Sequence, residues 1–360
     1  MQSVAFDATL WDEPTTGIGL YTHETVEALR AQAVHVSLLG AAHSGECPRK
    51  VRGRTAFALA ELPRVLRERP EPIFHAASNF NLPLQRIPGK RFVLTVHDLI
   101  PVLRPETVSR AFRWQFELWL SRSLRVADHV ICVSEHTRKD LLTRYGFDRA
   151  RTSVVYNGVD HVQRLPKPDA TGMRWLETLA LPEEFVLYAG ALDARKNVAR
   201  VIDAIESLHD RGRKTTLVLA GQKWFGSGAT ERRVHELQGR GLDIRPLGYV
   251  EAPLFYALMR RARLFVFPSL YEGFGLPPLE AMSLGVPTIV SNTTSLPEVC
   301  GQAAVQVDPL DSGALAHELQ SLLSSPARRS ELSEAGRHQA AKFTWSRAAE
   351  QTARIYFTLS

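Results

Sequence analysis

Two glutamates in the second half of the chain have the residue types and spacing to bind a hydroxyl-rich ligand. Glu272 and Glu280 lie eight positions apart, on either side of a glycine-rich turn at residues 273–275. Carboxylates accept hydrogen bonds from sugar hydroxyls, and the N–H groups of a glycine-flanked backbone suit phosphate or sugar oxygens. The spacing therefore predicts a polar pocket, with a loop carboxylate and a helix carboxylate beside it.

A pair of basic residues predicts an anion site. Arg195 and Lys196 follow an apolar run and precede Asn197, a residue type that often caps a helix N-terminus. Two cations next to free helix N–H groups can bind a diphosphate. We expect both side chains to be exposed, so that replacing them costs little folding free energy.

Three further residues follow predicted strands in the first half. His97 lies where an apolar run ends and could polarise a substrate hydroxyl. Gly17 and Gly19 precede a helix, where the missing side chains would let a ligand approach the backbone. A structural histidine and an ordinary strand–helix turn are the alternatives for these positions.

The elements that should position these residues form two series of alternating apolar runs and amphipathic stretches, a pattern typical of parallel doubly wound sheets. The predicted strands are 3–8, 34–39, 72–76, 91–96, 128–133, 152–156, 185–190, 215–221, 243–248, 263–268 and 286–291. The predicted helices are 17–29, 105–126, 135–145, 197–211, 230–239, 251–262, 277–284 and a helical stretch over 311–358. Ligands bind such sheets at the carboxyl ends of the strands, which is where all the candidate residues lie.

Residues 157–183 contain three prolines and little strand signal, which predicts a linker between two domains. We expect an N-terminal domain over 1–165 and a C-terminal domain over 166–343. A last helix over 344–360 is expected to pack back on the N-terminal domain. No metal site is predicted, because the candidate residues include neither a histidine close to the two glutamates nor a third carboxylate near them.

Composition excludes several classes of protein. The chain has 360 residues, 44% hydrophobic, with three cysteines and a net charge of +6. These values are typical of a globular protein without a disulfide framework, and the modest basic excess gives no support for nucleic-acid binding. Neither a signal peptide nor a membrane-spanning run is recognisable, so we expect a cytoplasmic protein.

Eight segments in order resemble glycosyltransferase family 4, whose members are retaining enzymes of the GT-B fold. The seventh segment leads into the Glu-x7-Glu motif formed by Glu272 and Glu280. The segments are GIGLYT (17–22), TVHDLIP (95–101), ICVSEHTRKDL (131–141), VVYNGVD (154–160), YAGALDARKN (188–197), LGYV (247–250), FPSLYEGFG (267–275, leading to Glu280) and SNTTSLPEV (291–299). The resemblance implies an α/β protein with two doubly wound Rossmann-like domains facing across a cleft. It also implies that the N-terminal domain over 1–165 binds the acceptor and that the C-terminal domain over 166–343 binds the nucleotide-sugar donor. Its Arg-Lys-Asn sequence resembles a subgroup that includes mannosyltransferases of bacterial surface polysaccharides.

The resemblance also implies roles for individual residues. Arg195 and Lys196 would neutralise the donor diphosphate, Glu272 would contact the donor sugar and His97 would lie by the reacting sugar, so these four are the candidate catalytic residues. Further donor contacts are implied for Gly17, Gly19, Tyr249, Val250, Gly273, Phe274, Gly275, Leu276 and Glu280. Glu280 would contact the ribose, and the backbone near Tyr249 and Val250 would frame the base.

The resemblance implies a hexosyltransferase that moves mannose from GDP-mannose to a glycan acceptor in polysaccharide or lipopolysaccharide synthesis, without a metal cofactor. Three alternatives remain at this point. They are a UDP-sugar-dependent transferase, a nucleotide-sugar epimerase and a non-catalytic nucleotide-sugar-binding module. The four candidate catalytic residues favour an active enzyme over the last of these.

The N-terminal half also suggests weak attachment to an anionic membrane, which would bring a polyprenyl-diphosphate-linked acceptor within reach. In the predicted helix, Phe112, Phe116 and Trp119 share a face and arginines are interspersed. A basic cluster upstream comprises Arg49, Lys50, Arg52, Arg54, Arg64, Arg67 and Arg69. The competing interpretation is that the aromatic face packs on the sheet and the arginines are merely solvated.

Overall fold

A computed structural model of the chain describes residues 2–13, 16–40, 61–79, 81–191, 193–221 and 228–360. They form two compact units. Unit 1 comprises Met1–Gly158 and Phe343–Ser360, and unit 2 comprises Val159–Lys342. The chain leaves unit 1 at Gly158, before the expected boundary at 165, and its last segment belongs to unit 1.

Unit 1 is built on a parallel sheet with the strand order β2-β1-β3-β4-β5-β6. Its strands are β1 (Ser3–Asp7), β2 (His35–Leu39), β3 (Ile73–Ala76), β4 (Arg91–Val96), β5 (His129–Cys132) and β6 (Thr152–Val154). Its described helices are α1 (Gly17–Ala31), α2 (Leu62–Glu68), α3 (Ile100–Leu103), α4 (Arg110–Val126), α5 (Glu135–Tyr145) and the C-terminal helix Trp345–Leu359, which is α15 in chain order. Both faces of the sheet are covered by apolar side chains, which explains why the strands are continuous apolar runs in the sequence.

Helix α4 differs from its prediction in start and orientation. Residues Pro105–Thr107 form a separate 3-10 turn, and α4 begins after Ser109, whose hydroxyl accepts the Phe112 N–H at 3.2 Å. Phe116 is buried in the core, so it does not belong to an outward aromatic face as the membrane hypothesis required. Phe112 is 42% exposed, as that face required, but the more exposed apolar side chains of α4 are Trp114, 74% exposed, and Leu118, 53% exposed.

A buried polar chain joins four elements of unit 1. The hydroxyl oxygens of Tyr21 and Thr95 lie 2.8 Å apart, and His75 Nε2 lies 2.8 Å from the same threonine oxygen. His75 Nδ1 lies 2.5 Å from the hydroxyl of Tyr356. Helices α1 and α15 are thereby bonded to strands β3 and β4. Burial lowers the pKa of His75 to about 3, so its imidazole is neutral at physiological pH.

Unit 2 contains a second parallel sheet, with the order β12-β11-β10-β7-β8-β9. Its strands are β7 (Phe185–Ala189), β8 (Thr216–Ala220), β9 (Ile244–Gly248), β10 (Leu264–Phe267), β11 (Thr288–Ser291) and β12 (Val305–Val307). Its described helices are α6 (His161–Arg164), α7 (Ala170–Thr178), α8 (Val198–Asp210), α9 (Gly228–Gly239), α10 (Ala252–Arg261), α11 (Leu276–Ser283), α12 (Leu296–Cys300), α13 (Ser312–Ser324) and α14 (Pro326–Ala340).

The strand order of unit 2 defines where its functional residues meet. After β7 the chain adds β8 and β9 on one side, and then returns to place β10 on the other side of β7. The loops that leave β7 and β10 therefore diverge at the carboxyl edge of the sheet, a topological switch point where open α/β sheets bind their ligands.

The interpretation of 157–183 as a linker is wrong. Helices α6 and α7 occupy this segment and belong to unit 2. Asp169 caps α7, because its carboxylate accepts the Gly172 N–H at 2.7 Å. Leu176 is buried, so α7 presents an apolar side chain to the unit. The three prolines in this segment led to the prediction of a linker, although two short helices form there.

Three other sequence features have a plain outcome. No described helix combines the length and apolar character needed to cross a bilayer. Cys132 and Cys300 are buried free thiols whose pKa burial raises to about 12, which makes both unreactive. Cys47 lies outside the described residues, as does the first part of the basic cluster, Arg49, Lys50, Arg52 and Arg54.

Candidate functional site

The loop after β7 brings the two predicted cations into the switch point of unit 2. Asp193 shapes this loop, because its carboxylate accepts the Lys196 N–H at 2.8 Å. Asn197 occupies the N-cap position of α8 with a left-handed φ of 59°, but its side chain does not cap the helix as expected. Its amide instead donates to the backbone oxygens of Pro268, at 2.9 Å, and Pro309, at 2.7 Å. The loop is thus fastened to the segments that follow β10 and β12.

Glu272, in the loop after β10, receives both cations. Its Oε1 accepts hydrogen bonds from Arg195 Nη1 at 2.9 Å, Lys196 Nζ at 2.8 Å and Ser269 Oγ at 2.6 Å. Arg195 Nη1 also donates to the backbone oxygen of Tyr271 at 3.0 Å. The three charged residues were predicted from the sequence, but Ser269 was not, because it carries no distinctive sequence signal. We call Arg195, Lys196, Glu272 and Ser269 the cation cluster.

The cation cluster is more buried than the sequence suggested. The side chains of Arg195 and Lys196 are only 15% and 13% exposed, so the expectation of exposed cations is wrong. The reason is that each cation hydrogen-bonds Glu272, and these contacts exclude water from both side chains. Burial alone would raise the pKa of Glu272, but the charges of Lys196 and Arg195 outweigh it and hold the pKa of that carboxyl below its ordinary value.

The glycine turn delivers the chain from Glu272 into helix α11. Gly275 has a φ of 102°, a conformation that favours glycine, and a Cβ there would lie 2.5 Å from Leu296. Ser295 Oγ donates to the backbone oxygens of Glu272, at 3.0 Å, and Phe274, at 2.9 Å. Gly273 lies in the same turn and Leu276 is the first residue of α11. The turn is therefore held by β11–α12 residues, and its backbone N–H groups lie at the N-terminus of a helix.

Glu280 lies within α11 and belongs to a different set of hydrogen bonds. Its Oε1 accepts from the Tyr256 hydroxyl at 2.9 Å and lies 3.2 Å from His161 Nε2. All three side chains are buried. Neither Tyr256 nor His161 was predicted, since nothing in the local sequence shows that residues so far apart in the chain will meet. Tyr249 and Val250, which follow β9, precede the helix that carries Tyr256, and Tyr249 is 48% exposed.

His97 and the two predicted glycines lie in unit 1. His97 Nε2 lies 2.8 Å from the backbone oxygen of Ala77, and its own N–H donates to Asn79 Oδ1 at 2.8 Å. A carbonyl oxygen can only accept, so Nε2 carries the proton and Nδ1 is an acceptor. Burial lowers the pKa of His97 to about 4, which makes the ring neutral at physiological pH. The missed residue here is Asn79, which fixes the His97 backbone.

The structure distinguishes Gly17 from Gly19. A Cβ at Gly19 would lie 1.9 Å from the backbone oxygen of Glu13, so the chain itself requires glycine there. A Cβ at Gly17 would have no neighbour within 4 Å. Helix α1 begins at Gly17 and is capped by Thr16, whose hydroxyl accepts the Gly19 N–H at 3.0 Å. Gly19 thus has a structural explanation within the described residues, whereas Gly17 has open space beside it.

Metal ligands are not clustered in the described part of the chain. No group of three histidine, cysteine, aspartate or glutamate side chains there is arranged to hold a metal ion. The charges at the switch point of unit 2 are instead organised around the cation cluster.

Two protein families match this chain, one in each half. Residues 15–163 match the family described as "Glycosyltransferase Family 4", and residues 173–339 match "Glycosyl transferases group 1". The O-antigen chain mannosyltransferase B of Escherichia coli is 36% identical over 300 residues, which cover 81% of this chain and 75% of that protein. The chain belongs to glycosyltransferase family 4. The predicted family is therefore confirmed.

Two further comparisons extend this result. The serotype-specific mannosyltransferase WbdA of Escherichia coli is 30% identical over 285 residues, which cover 75% of this chain but only 33% of that longer protein. The structure of Anabaena HepE in complex with UDP-glucose superposes with a TM-score of 0.76 at 18% identity, covering 99% of this chain and 100% of that one. The two six-stranded parallel sheets and this structural likeness confirm the predicted GT-B fold for this family 4 glycosyltransferase.

Proposed function

We propose that this family 4 glycosyltransferase is a retaining hexosyltransferase that moves mannose from GDP-mannose to a glycan acceptor, in the synthesis of a cell-surface polysaccharide or lipopolysaccharide. The observation that carries the proposal is the cation cluster, where Arg195 and Lys196 meet Glu272 at the switch point of unit 2. Mannose is favoured because both E. coli relatives are named mannosyltransferases.

The cation cluster suits the charges of the reaction. When the anomeric C–O bond of the donor breaks, the electron pair leaves with the diphosphate and positive charge develops on the sugar ring. Arg195 and Lys196 stabilise the departing anion, and the carboxylate of Glu272 accepts hydrogen bonds from the donor sugar. The acceptor hydroxyl attacks from the face that the diphosphate leaves, and the departing phosphate oxygen takes its proton. The new glycosidic bond replaces the broken C–O bond, and the proton moves to the departing diphosphate, so no covalent enzyme intermediate is needed.

His97 has a supporting role in this proposal. Its neutral ring donates Nε2–H to Ala77 and offers Nδ1 as an acceptor. An acceptor nitrogen suits a hydroxyl of the reacting sugar. A neutral imidazole with so low a pKa is a poor source of a proton at physiological pH, so we assign His97 to orientation and not to general acid catalysis.

We also propose that no divalent metal takes part in turnover. The support is that two side-chain cations already stand in the cation cluster, where a metal ion would otherwise offset the diphosphate charge. Turnover in buffer with EDTA should equal turnover in buffer with magnesium or manganese. A loss of activity in EDTA that either metal restores would overturn this part of the proposal.

The experiment that tests the function is nucleotide release from a panel of donors. GDP-mannose, UDP-glucose, UDP-galactose and UDP-N-acetylglucosamine would each be incubated with a mannose-terminated acceptor linked to a polyprenyl diphosphate. We expect acceptor-dependent release of GDP from GDP-mannose. Release of UDP would favour the UDP-sugar alternative. Formation of an epimerised donor in the absence of acceptor would favour an epimerase. Binding of a donor without any turnover would favour a non-catalytic module.

A second part of the proposal concerns where the acceptor is met. We propose a cytoplasmic enzyme whose unit 1 attaches weakly to anionic membrane through the outer face of α4. Trp114 and Leu118 face outward there, and Arg122 and Arg125 continue the same stripe at helical spacing. An exposed apolar pair next to two arginines suits an anionic lipid surface. This face differs from the predicted one, in which Phe112 is exposed but Phe116 is buried.

Vesicle co-sedimentation tests the attachment. Binding should rise with the fraction of anionic lipid, fall with salt, and weaken in an Arg122→Glu/Arg125→Glu variant, while turnover on a soluble acceptor stays unchanged. The matched control is Arg260→Glu/Arg261→Glu, a pair of exposed arginines at the end of α10 in unit 2. Equal sedimentation with and without anionic lipid, or an equal loss in the control variant, would contradict attachment through α4.

A further inference from the structure

Glu280 is held by two buried side chains that the proposed reaction does not yet use. The carboxylate lies on α11, Tyr256 on α10 and His161 at the start of α6. The Tyr256 hydroxyl is 2.9 Å, and His161 Nε2 is 3.2 Å, from the same oxygen, Glu280 Oε1. Two consecutive helices and the distant start of α6 therefore converge on one carboxylate oxygen.

The hydrogen-bonding pattern leaves the other oxygen of Glu280 to a ligand. A carboxylate only accepts, so both Tyr256 and His161 donate, and both donate to Oε1. Oε2 has no partner among the described residues, although the Glu280 residue is only 5% exposed. Oε2 is not one of the fully buried side-chain oxygens that lack a partner, so the small exposed part of Glu280 includes this oxygen. It is well matched to a ligand that brings hydroxyl groups.

We propose that Tyr256 and His161 are positioning residues which orient Glu280 so that Oε2 accepts from the ribose hydroxyls of the donor, and that they thereby make the enzyme selective for ribonucleotide donors. The inference rests on the proposed function, in which Glu280 contacts the ribose. A deoxyribose lacks one of the two vicinal hydroxyls, so a correctly aimed carboxylate oxygen loses a donor when a deoxynucleotide binds.

The placement of both positioning residues agrees with this role. Tyr256 lies on the helix that directly follows Tyr249 and Val250, whose backbone is assigned to the base. One continuous segment after β9 would then contact the base through its backbone. The same segment would orient Glu280 towards the ribose through Tyr256. His161 follows the segment VVYNGVD, which is part of the family resemblance and to which the proposed reaction assigns no role.

The test compares the affinity for a nucleoside diphosphate with that for its 2′-deoxy analogue. We would use isothermal titration of GDP and 2′-deoxy-GDP, or the uridine pair if UDP binds more tightly. A hydrogen bond to a charged group contributes about 1.5–3 kcal/mol, so the wild-type protein should prefer the ribonucleotide by about 10-fold or more. Tyr256→Phe and His161→Leu should each shrink this preference by about threefold or more, and His161→Gln, which keeps a donor, should preserve more of it than His161→Leu.

The control is Tyr356→Phe, which removes the hydroxyl of a buried, hydrogen-bonded tyrosine of unit 1. It should lower thermal stability and leave the ribose preference unchanged, which separates a general loss of stability from lost positioning. An unaltered preference in both Tyr256→Phe and His161→Leu would overturn the positioning role alone. Equal wild-type affinity for the two nucleotides would overturn the ribose contact as well, and failure of the wild-type protein to bind either GDP or UDP would overturn the proposed function itself.

Discussion

At the residue scale, one carboxylate oxygen accepts hydrogen bonds from both cations of the cation cluster. Glu272 Oε1 accepts from Arg195, Lys196 and Ser269, so neither cation is a free surface charge. Replacing either cation leaves a largely buried carboxylate with one charged partner fewer. We therefore expect such changes to lower stability by about 1–3 kcal/mol in addition to their effect on turnover.

The two glutamates should respond differently to neutralisation. Glu280→Gln should mainly weaken nucleotide binding, because the proposed ribose contact would be made in both ground and transition states. Glu272→Gln should mainly slow transfer, because a contact to the reacting sugar strengthens as charge develops. Titration of the nucleoside diphosphate and steady-state kinetics on both variants would test this. An equal loss of nucleotide affinity in the two variants would contradict the division of roles.

Gly17 and Gly19 form a matched pair for separating a ligand contact from a packing requirement. Gly19→Ala places a Cβ against the Glu13 oxygen and should destabilise unit 1 by about 1–3 kcal/mol. Gly17→Ala has room within the described residues and should leave the melting temperature almost unchanged. Because the family resemblance implies a donor contact at Gly17, we expect the same variant to lose turnover. Full activity in Gly17→Ala would refute that contact.

At the scale of elements, sequence and structure agree where burial leaves a continuous apolar signal. Strands such as β4 and β7 are covered on both faces, so their positions were predicted almost to the residue. Short elements were not predicted, because they contain too few residues to show a periodic pattern: β12 has three residues and α12 has five. Helices α6 and α7 were also not predicted, because prolines lie near them.

The candidate site was predictable only in part for a related physical reason. Residues within one motif, such as Glu272 and Glu280, are visible in the sequence. Partners brought together by strand order are not: His161 and Glu280 are 119 positions apart and meet only because α6 and α11 pack into the same unit. The exposure of Arg195 and Lys196 was misjudged for the same reason, since their burial depends on a loop more than 70 positions away.

The return of the chain to unit 1 depends on a close contact at Gly158. A Cβ there would lie 2.2 Å from the backbone nitrogen of Trp345, where α15 begins. Gly158→Ala should therefore displace the start of α15, lower the free energy of unfolding by about 1–3 kcal/mol and shift the emission of the buried Trp345 to longer wavelength. Gly239→Ala, with open space around the new Cβ, is the control. Identical melting curves for both variants would contradict the contact.

At the scale of the whole molecule, the two units should respond differently to mild acid. Unit 1 contains His75 and His97, whose pKa values burial lowers to about 3 and about 4. The unfolded chain takes up protons on these rings below about pH 6.5, whereas the folded unit does not until much lower pH. Stability is therefore present above pH 6.5 and falls by about 2 kcal/mol for each histidine between pH 6.5 and 4.5.

Chemical denaturation at pH 7.5 and 4.5 checks this expectation. His75→Gln should lose about 2 kcal/mol less than the wild-type protein across the interval, because the variant has no ring to protonate in the unfolded state. The control is His338→Gln, which changes a histidine whose side chain is 78% exposed. The same pH dependence in His75→Gln and wild type would show that His75 is not held neutral by the fold.

The proposed function depends on the cation cluster of unit 2 binding the diphosphate of a nucleotide-sugar donor. Binding is measured best by titrating a nucleoside diphosphate and the matching monophosphate into the wild-type protein and into Lys196→Met. We expect the variant, checked by circular dichroism for folding, to lose about 10- to 100-fold in diphosphate affinity and less than about threefold in monophosphate affinity. Equal losses for the two nucleotides, or no loss for either, would show that Lys196 does not bind the diphosphate.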